Sequence, residues 1–306
     1  MILFKIFLKC LFLASILTGA EVKLYNQNNE SFADITTKNN LTFTCRVSGL
    51  ENSGETVILL HGFPSTSHMW HELIDFLSSQ NYRVIAPNQR GYSKGARPLE
   101  ISEYHIDNLV QDVIDIADAM NVNEFHLIGH DWGSAVGWAT TASNKDRVLS
   151  WTALSVPHLD AFGDAIVNDE TQEDKSYYID LFRMKFIPEL YFKFLNHRNL
   201  KKIWSSSSDM QIKKYMNVFG QRKAITGALN WYRANDFERG IGDIYVPTLM
   251  IYGLNDAAIA EKGVDETEKY IKAPYTLKKL NVSHWIMQES FDEVSVLILN
   301  HIKTSS

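Results

Sequence analysis

One short segment, GHDWG, places an acidic side chain where it can act as a nucleophile. Asp131 stands two positions from Gly129 and two from Gly133, between an apolar run and a helical pattern. A sharp turn from strand to helix needs such small residues, because the backbone there leaves no room for side chains. The turn would lift Asp131 above the sheet at a helix N-terminus, where negative charge is stabilised. An aspartate that only caps the helix fits the same five residues.

Two later segments supply the residues that would complete a hydrolytic site. Asp256 follows a strand in GLND, and His284 follows the next strand in NVSHW, 28 positions later (284 − 256). This chain order of nucleophile, acid and histidine is that of the α/β-hydrolase fold. We therefore predict that His284 is a base oriented by Asp256. Asp265 is the alternative acid, although it falls in a helical pattern.

The segment HGFP predicts an oxyanion hole. It follows a buried strand and precedes the GHDWG turn by about seventy residues. In this fold the loop after that strand provides one backbone N–H, and the residue after the nucleophile provides the other. The predicted donors are therefore the N–H groups of Phe63 and Trp132. An ordinary turn would also explain HGFP taken alone.

An aspartate at this turn predicts a particular chemistry. A serine nucleophile needs its histidine to remove a proton before it attacks. Ionised Asp131 needs no such activation and suits attack on a saturated carbon that bears a strained C–O bond or a halide. The histidine is then free to activate water, which would hydrolyse the resulting ester.

The scaffold for these residues is predicted to be a mostly parallel sheet with helices on both faces. Runs rich in valine and isoleucine at 56–60, 82–86, 124–129 and 247–253 are typical of strands buried on both faces. Helical spacing of apolar residues at 105–120 alternates with them, and a further helix is predicted at 289–302. The alternating segment 41–49 predicts an edge strand with one solvated face.

The alternation of strand and helix stops between residues 157 and 242. This segment is rich in aromatic residues and lysine and reads as several short helices. We predict an inserted helical cap at 157–242, and an α/β-hydrolase core formed by 21–156 and 243–306.

The first twenty residues have the pattern of a signal peptide. Lys5 and Lys9 precede an apolar run that ends in small residues at Ala20. We predict cleavage after Ala20 and a secreted or periplasmic protein without stable membrane insertion, with an uncleaved anchor as the alternative. Cleavage would change the net charge from −6 to −8 (−6 − 2), because two lysines and no acids are lost. Cys45 would remain as a lone cysteine, so no internal disulfide is expected.

Composition excludes several classes of protein. Apolar residues make up 45% of the chain and charged residues 22%, as in a soluble globular domain. A net charge of −6 without any basic run argues against nucleic-acid binding. Neither H-E-x-x-H nor paired C-x-x-C occurs, so no metal and no cofactor are predicted.

The chain resembles the epoxide hydrolases of the α/β-hydrolase superfamily, in the branch that uses an aspartate nucleophile. The resemblance rests on HGFP, VIAPNQRGYSKGARP, GHDWGS, LNWYR, GLND and SHW. It implies a small apolar epoxide substrate, a covalent ester on the aspartate, and hydrolysis by water to a vicinal diol. It also implies two cap tyrosines that hold and protonate the epoxide oxygen. LNWYR points to Tyr232, and SYYIDLFR aligned on Phe182 points to Tyr178 rather than Tyr177.

One departure from the family pattern concerns a loop near the site. Asn88 stands where relatives commonly carry aspartate in APDxRG, which puts the local hydrogen bonding of that loop in question.

Three other functions are consistent with parts of the pattern. Haloalkane or haloacid dehalogenases use the same aspartate chemistry. However, haloalkane dehalogenases commonly carry asparagine at the position of Phe63, and fluoroacetate-type enzymes usually carry arginine at that of Trp132. A non-catalytic binding protein on a hydrolase scaffold would not need the complete set of predicted residues. A serine esterase is disfavoured because Ser134 lies three positions beyond the tip of the turn.

Overall fold

The computed structural model describes residues 12–14, 19–237 and 240–305. Most of the predicted signal peptide at 1–20 lies outside these residues. Ten strands occur in the described part of the chain, and all belong to one sheet. They are β1 Phe12–Ala14, β2 Glu21–Gln27, β3 Glu30–Thr36, β4 Thr42–Ser48, β5 Thr56–Leu60, β6 Arg83–Pro87, β7 Phe125–His130, β8 Val148–Leu154, β9 Thr248–Gly253 and β10 Tyr275–Leu280.

The sheet has an antiparallel part and a parallel part. Its strand order is β1-β2-β3-β4-β6-β5-β7-β8-β9-β10, and the strands from β5 to β10 pair in parallel. The strands β5, β7 and β9 are buried along their whole length, as their apolar runs predict. The predicted α/β fold, with a mostly parallel sheet, is confirmed.

Helices connect the parallel strands and fill the segment between β8 and β9. They are α1 His71–Ser79, α2 Ile106–Ala119, α3 Trp132–Ser143, α4 Leu159–Asn168, α5 Glu170–Arg183, α6 Ile187–Ile203, α7 Asp209–Phe219, α8 Ala224–Ala234, α9 Glu261–Glu266, α10 Ile286–Glu289 and α11 Phe291–Thr304. Short 3-10 helices lie at Ser67–Trp70, Ile101–Tyr104 and Thr267–Tyr270. The segment predicted as a cap thus holds α4 to α8. No helix within the described ranges combines the length and the apolar character needed to cross a membrane.

The prediction of an edge strand at 41–49 is wrong. Burial does alternate along β4, but β4 pairs with β3 on one side and with β6 on the other. The strands β2 and β3 extend the sheet beyond it. Their sequences, EVKLYNQ and ESFADIT, are too polar to stand out as buried strands.

The parallel strands bring the candidate residues to one edge of the sheet. The chain continues from the carboxyl ends of β5, β7, β8, β9 and β10 into loops that hold Phe63, Asp131, Ser155, Asp256 and His284. The chain moves from β5 to β6 on one side and returns to β7 on the other. Ligands of open α/β sheets bind where the order reverses in this way, at the carboxyl ends.

Candidate active site

Asp131 occupies a strained turn between β7 and α3. Its φ of 54° and ψ of −123° lie outside the regions that L-residues favour. A Cβ on Gly129 would collide with the carbonyl oxygen of Gly133, and one on Gly62 would collide with the carboxylate of Asp131. The glycines therefore let the backbone at positions 62, 129 and 133 pack closely around the Asp131 turn.

The two backbone donors predicted from HGFP and GHDWG meet this carboxylate. The N–H of Phe63 donates to Oδ1 of Asp131 at 2.6 Å. The N–H of Trp132, in the first turn of α3, is also hydrogen-bonded to the Asp131 side chain. The same pair of donors can stabilise an oxyanion that develops on the carboxyl carbon.

His284 lies between two carboxylates. Its Nδ1 is 2.8 Å from Oδ2 of Asp256, and its Nε2 is 3.7 Å from Oδ2 of Asp131. The other oxygen of Asp256 accepts the N–H groups of Ala258 and Ile259 at 2.8 and 3.1 Å. Asp256 is thereby fixed in place, and it orients the imidazole towards Asp131.

The alternative residues lie elsewhere. Asp265 is in α9 and pairs with Lys279 at 2.6 Å. Ser134 is fully buried, and its hydroxyl donates to the carbonyl oxygens of Gly129 and Leu154 at 2.8 and 2.9 Å. Neither side chain faces the carboxylate of Asp131.

Burial and neighbouring charges set the protonation states of His284 and Asp256. Burial works to lower the pKa of His284, but the charge of Asp256, their hydrogen bond and the charge of Asp131 raise it to about 9. Burial works to raise the pKa of Asp256, but His284 and the surrounding hydrogen bonds lower it to about 2. At neutral pH the histidine is therefore a cation held by two carboxylates.

Asp131 itself is less open to solvent than its position on a turn indicates. Only 7% of its surface is exposed, and burial raises the pKa of its carboxyl above the usual value. The positive charge of His284 and the two backbone N–H groups oppose that rise. The expectation that the helix end alone favours the ionised form is thus incomplete, because His284 contributes more.

Two cap tyrosines face Asp131 from above. Tyr178 lies on α5 and Tyr232 on α8, and both line the same small cavity as Asp131. Their ring centroids are 6.1 Å apart, and the rings meet edge to face. Burial raises the pKa of both phenols, so both carry their protons at neutral pH. Tyr177, which the sequence analysis passed over in favour of Tyr178, is 78% exposed.

The pocket beside Asp131 is almost filled by its own walls. Its free volume is about 20 Å³, which is room for about one water molecule. Apart from Asp131 and the tyrosines, its walls are mainly aromatic and aliphatic, including Trp132, Phe162 and Phe237. The Asp131 carboxylate is thus largely shielded from bulk water, which strengthens its interactions with nearby charges.

The cap is fastened to the loop that holds Asp256. Gln172 of α5, which is fully buried, accepts the N–H of Ala260 at 2.7 Å and donates to the carbonyl of Ala258 at 2.9 Å. One turn later, Lys175 donates to the carbonyl oxygens of Asp256 and Ile259 at 2.6 and 2.8 Å. The sequence did not predict these contacts, because the type of a polar residue on a helix does not show which distant backbone group it will bind.

Two further residues near His284 were also missed. Ser155 has a φ of 74°, and its hydroxyl donates to Oδ2 of Asp256 at 2.7 Å, within 2.9 Å of Nδ1 of His284. His130 is hydrogen-bonded through Nε2 to the backbone carbonyl of His284 at 2.9 Å. The only signal for Ser155 was its place at the carboxyl end of a strand. The only sequence signal for His130 was its position next to Asp131.

Asn88 keeps the loop after HGFP in place. Its side-chain oxygen accepts the N–H of Ser67 at 3.0 Å, as a carboxylate at this position would. Within the described ranges, no group of three or more histidine, cysteine or acidic side chains is arranged to hold a metal ion.

Comparison with known proteins identifies the family. Residues 55–290 match the family described as alpha/beta hydrolase fold. The chain belongs to this family. Human epoxide hydrolase 4 is 31% identical over 273 residues, which are 84% of this chain and 75% of the human protein. The AB hydrolase superfamily protein YfhM of Bacillus subtilis is 31% identical over 274 residues, covering 87% of this chain and 96% of YfhM.

Solved structures agree with this assignment at the level of the fold. The crystal structure of a Bacillus megaterium epoxide hydrolase in complex with an inhibitor superposes with a TM-score of 0.78 and 22% identity, over 92% of this chain and 99% of the other. The resemblance to α/β-hydrolase epoxide hydrolases that the sequence motifs indicate is therefore confirmed.

Proposed function

We propose that this α/β hydrolase converts epoxides to vicinal diols through a covalent ester on Asp131. The observation that carries the proposal is the placement of two protonated phenols, Tyr178 and Tyr232, in the same small pocket as the carboxylate. A carboxylate and an acid on opposite sides of one cavity suit the opening of a strained C–O bond. The similarity to proteins named epoxide hydrolases, human epoxide hydrolase 4 among them, supports this chemistry.

In the first step Asp131 attacks a ring carbon. Its Oδ1 is held by the N–H of Phe63, so Oδ2 is the oxygen available to attack. The new ester bond forms as the ring C–O bond breaks, and the ring oxygen takes a proton from a tyrosine. A phenol can supply this proton because the alkoxide that would otherwise leave is far more basic than phenolate.

In the second step His284 acts as base on water. The water attacks the carboxyl carbon of the ester and gives one proton to Nε2, while the N–H groups of Phe63 and Trp132 stabilise the oxyanion. The bond between that carbon and the substrate oxygen then breaks. The leaving diol oxygen takes the proton from His284, the proton left on the carboxyl group passes to the tyrosinate formed in the first step, and Asp131 returns as carboxylate. Asp256 holds the imidazole and stabilises its positive charge throughout.

The experiment that tests the proposal uses the variant His284→Gln. Ester formation needs only Asp131, the tyrosines and bound substrate, so the variant should accumulate the ester. Intact-mass spectrometry with an epoxide should show a gain equal to the whole mass of the substrate, because ring opening loses no atoms. Peptide mapping should place the label on Asp131, and the double variant with Asp131→Ala should gain no mass.

The same measurement separates the competing functions. A haloalkane loses its halogen on attack, so a dehalogenase would add only the alkyl group less a proton. A label on Ser134 would indicate an esterase. Absence of any adduct from a correctly folded variant, with epoxides and haloalkanes of several sizes, would refute the proposal and favour a binding protein. Circular dichroism of the same preparation establishes folding.

We also propose that residues 1–20 form a signal peptide and that the mature protein is secreted or periplasmic. The support is the early lysines, the apolar run and the small residues that end at Ala20.

A further inference from the structure

Large apolar side chains are exposed along one short stretch of the cap. Of the fourteen that are exposed in the described ranges, seven lie between residues 184 and 195. The most exposed are Phe186, Leu190, Phe194 and Leu195, at 76%, 69%, 60% and 59%. Scattered apolar residues are common on protein surfaces, but a concentration of this kind marks a surface that binds something. We name residues 184–203 the cap ridge.

The first half of α6 is apolar on two opposite sides. On the inner side Phe192 is fully buried, and its ring packs at 5.6 Å from that of Phe63. On the outer side Ile187, Leu190 and Phe194 recur at helical spacing and are exposed. A helix that is apolar all round is suited to burial on all sides. The outer side of α6 is therefore suited to a second apolar environment.

The backbone at both ends of this half-helix holds an apolar side chain in a strained position. Phe186 has a φ of 68° and Leu195 a φ of 44°. Such left-handed conformations are unfavourable for bulky side chains. Both side chains are exposed, so burial of the side chain does not offset the strain. Strain at an exposed apolar residue points to a function of that residue.

The charge of the cap ridge is opposite to that of the rest of the chain. The single acidic residue among 184–203 is Glu189, which pairs with Arg233 at 2.9 Å. The ridge thus has a net charge of +4 (5 − 1), whereas the other residues sum to −10 (−6 − 4). Its basic residues are Lys185, Lys193, Arg198, Lys201 and Lys202.

Apolar and basic groups meet directly at one end of the ridge. Leu195 borders a shallow depression together with Arg198, Lys201 and Lys202. An apolar side chain beside three cations matches the boundary between the acyl chains and the phosphate groups of a bilayer.

We propose that the cap ridge docks on the surface of a membrane that contains anionic lipids. Apolar side chains with nearby lysines and arginines are the pattern of a segment that lies in the membrane interface. A second copy of the chain fits less well, because a twofold contact would place the ridge and its charge of +4 against itself. The core of a protein interface is also depleted in lysine. This inference is independent of the reaction proposed for Asp131.

The first test changes the charge of the ridge. The full chain is mixed with phosphatidylcholine vesicles, with or without phosphatidylglycerol, and bound protein is separated by flotation. Binding should be tighter with phosphatidylglycerol and should weaken as salt rises. Lys185→Gln combined with Lys193→Gln should weaken it about thirtyfold, which is about 1 kcal/mol for each basic side chain. The matched control, Lys278→Gln with Lys303→Gln, removes two exposed lysines elsewhere and should bind like the parent.

The second test removes the two strained apolar residues. Phe186→Asn combined with Leu195→Asn should weaken vesicle binding by roughly a hundredfold. Asparagine adopts the left-handed conformation readily, so the fold should be retained. The control, Tyr245→Asn with Val296→Asn, removes apolar side chains that are 59% and 50% exposed outside the ridge, and it should keep the parent affinity. Circular dichroism establishes folding, and the lysine variants test the proposal without any change at the strained positions.

Hydrogen–deuterium exchange locates the contact. Backbone amides within residues 184–203 should exchange more slowly when phosphatidylglycerol vesicles are present. Protection confined to residues 1–20 would assign the contact to the N-terminal segment and overturn the inference. Absence of binding to these vesicles, or equal affinity in the ridge variants and their controls, would also overturn it. So would a parent dimer, measured by light scattering, that Phe186→Asn with Leu195→Asn dissociates, because a second copy would then cover the ridge.

Discussion

Neutralising Asp131 should lower the pKa of His284. The nearest carboxylate oxygen of Asp131 is 3.7 Å from Nε2 of His284. At that distance Coulomb's law gives about 1 kcal/mol at a dielectric constant of 80 and about 4 kcal/mol at 20. Since 1.36 kcal/mol corresponds to one pH unit, removal of this charge should lower the pKa by about one to three pH units. From about 9 in the intact site, the pKa should fall to between about 6 and 8 in Asp131→Asn.

This change has a direct consequence for the reaction. In the proposed reaction a protonated His284 is compatible with the first step, because its charge stabilises the carboxylate that attacks. Esterification of Asp131 removes the same negative charge that Asp131→Asn removes. The imidazole then loses its proton more readily, and the neutral base becomes available when water must be activated. The nucleophile would thus control the protonation of the base that later releases it.

The measurement is an NMR pH titration of the ¹³C-labelled histidine ring. The His284 signal is assigned with the variant His284→Gln. The matched control is Asp265→Asn, which removes an aspartate charge that pairs with Lys279 instead. The control should leave the pKa of His284 near that of the parent. A pKa in Asp131→Asn equal to that of the parent would refute the reasoning, and so would a rise.

Three further predictions concern the cap and the leader. Tyr178→Phe or Tyr232→Phe should each slow ester formation, and loss of both acids in the double variant should slow it by roughly a hundredfold to ten thousandfold. Stopped-flow tryptophan fluorescence measures this step, and a double variant at the parent rate would disprove the assignment. Gln172→Leu should lower the free energy of unfolding by about 2 to 4 kcal/mol, because the buried N–H of Ala260 and the partly buried carbonyl of Ala258 lose their partners. Lys175→Met, on a less buried side chain, should lower it by less. Urea denaturation checks both, and a loss below about 1 kcal/mol for the glutamine variant would contradict the account. N-terminal sequencing of protein exported by its own host should show a start directly after Ala20, whereas an intact first residue in the membrane fraction would argue for an anchor.

The parallel core was predictable because its signals are local. Strands buried on both faces are short continuous apolar runs, and Thr56–Leu60 forms with the predicted bounds. The positions of Asp131, Asp256 and His284 were predictable for a related reason. Each follows a strand directly, and the carboxyl ends of parallel strands must share one edge of the sheet.

The N-terminal strands and the packing of the cap were not predictable in the same way. The strands β2 and β3 mix exposed and buried positions and are rich in polar residues. Their residue types therefore do not predict that β2 pairs with β3 and β3 with β4. A cavity of about 190 Å³ beside α3 depends on three alanines, Ala135, Ala139 and Ala142, that in sequence look like ordinary helix formers. Contacts between distant segments decide these features, and a local pattern of residue types carries little information about them.

The helix α5 connects the two steps of the proposed reaction. Tyr178, which faces the epoxide oxygen in the proposed first step, lies one turn after Lys175 and two turns after Gln172. Those two residues hold the loop of Asp256, which orients the base of the second step. Any tilt of α5 that moves Tyr178 away from Asp131 must also pull on four hydrogen bonds to the loop of Asp256. In the proposed reaction the acid of one step and the orienter of the other therefore share one support, the helix α5.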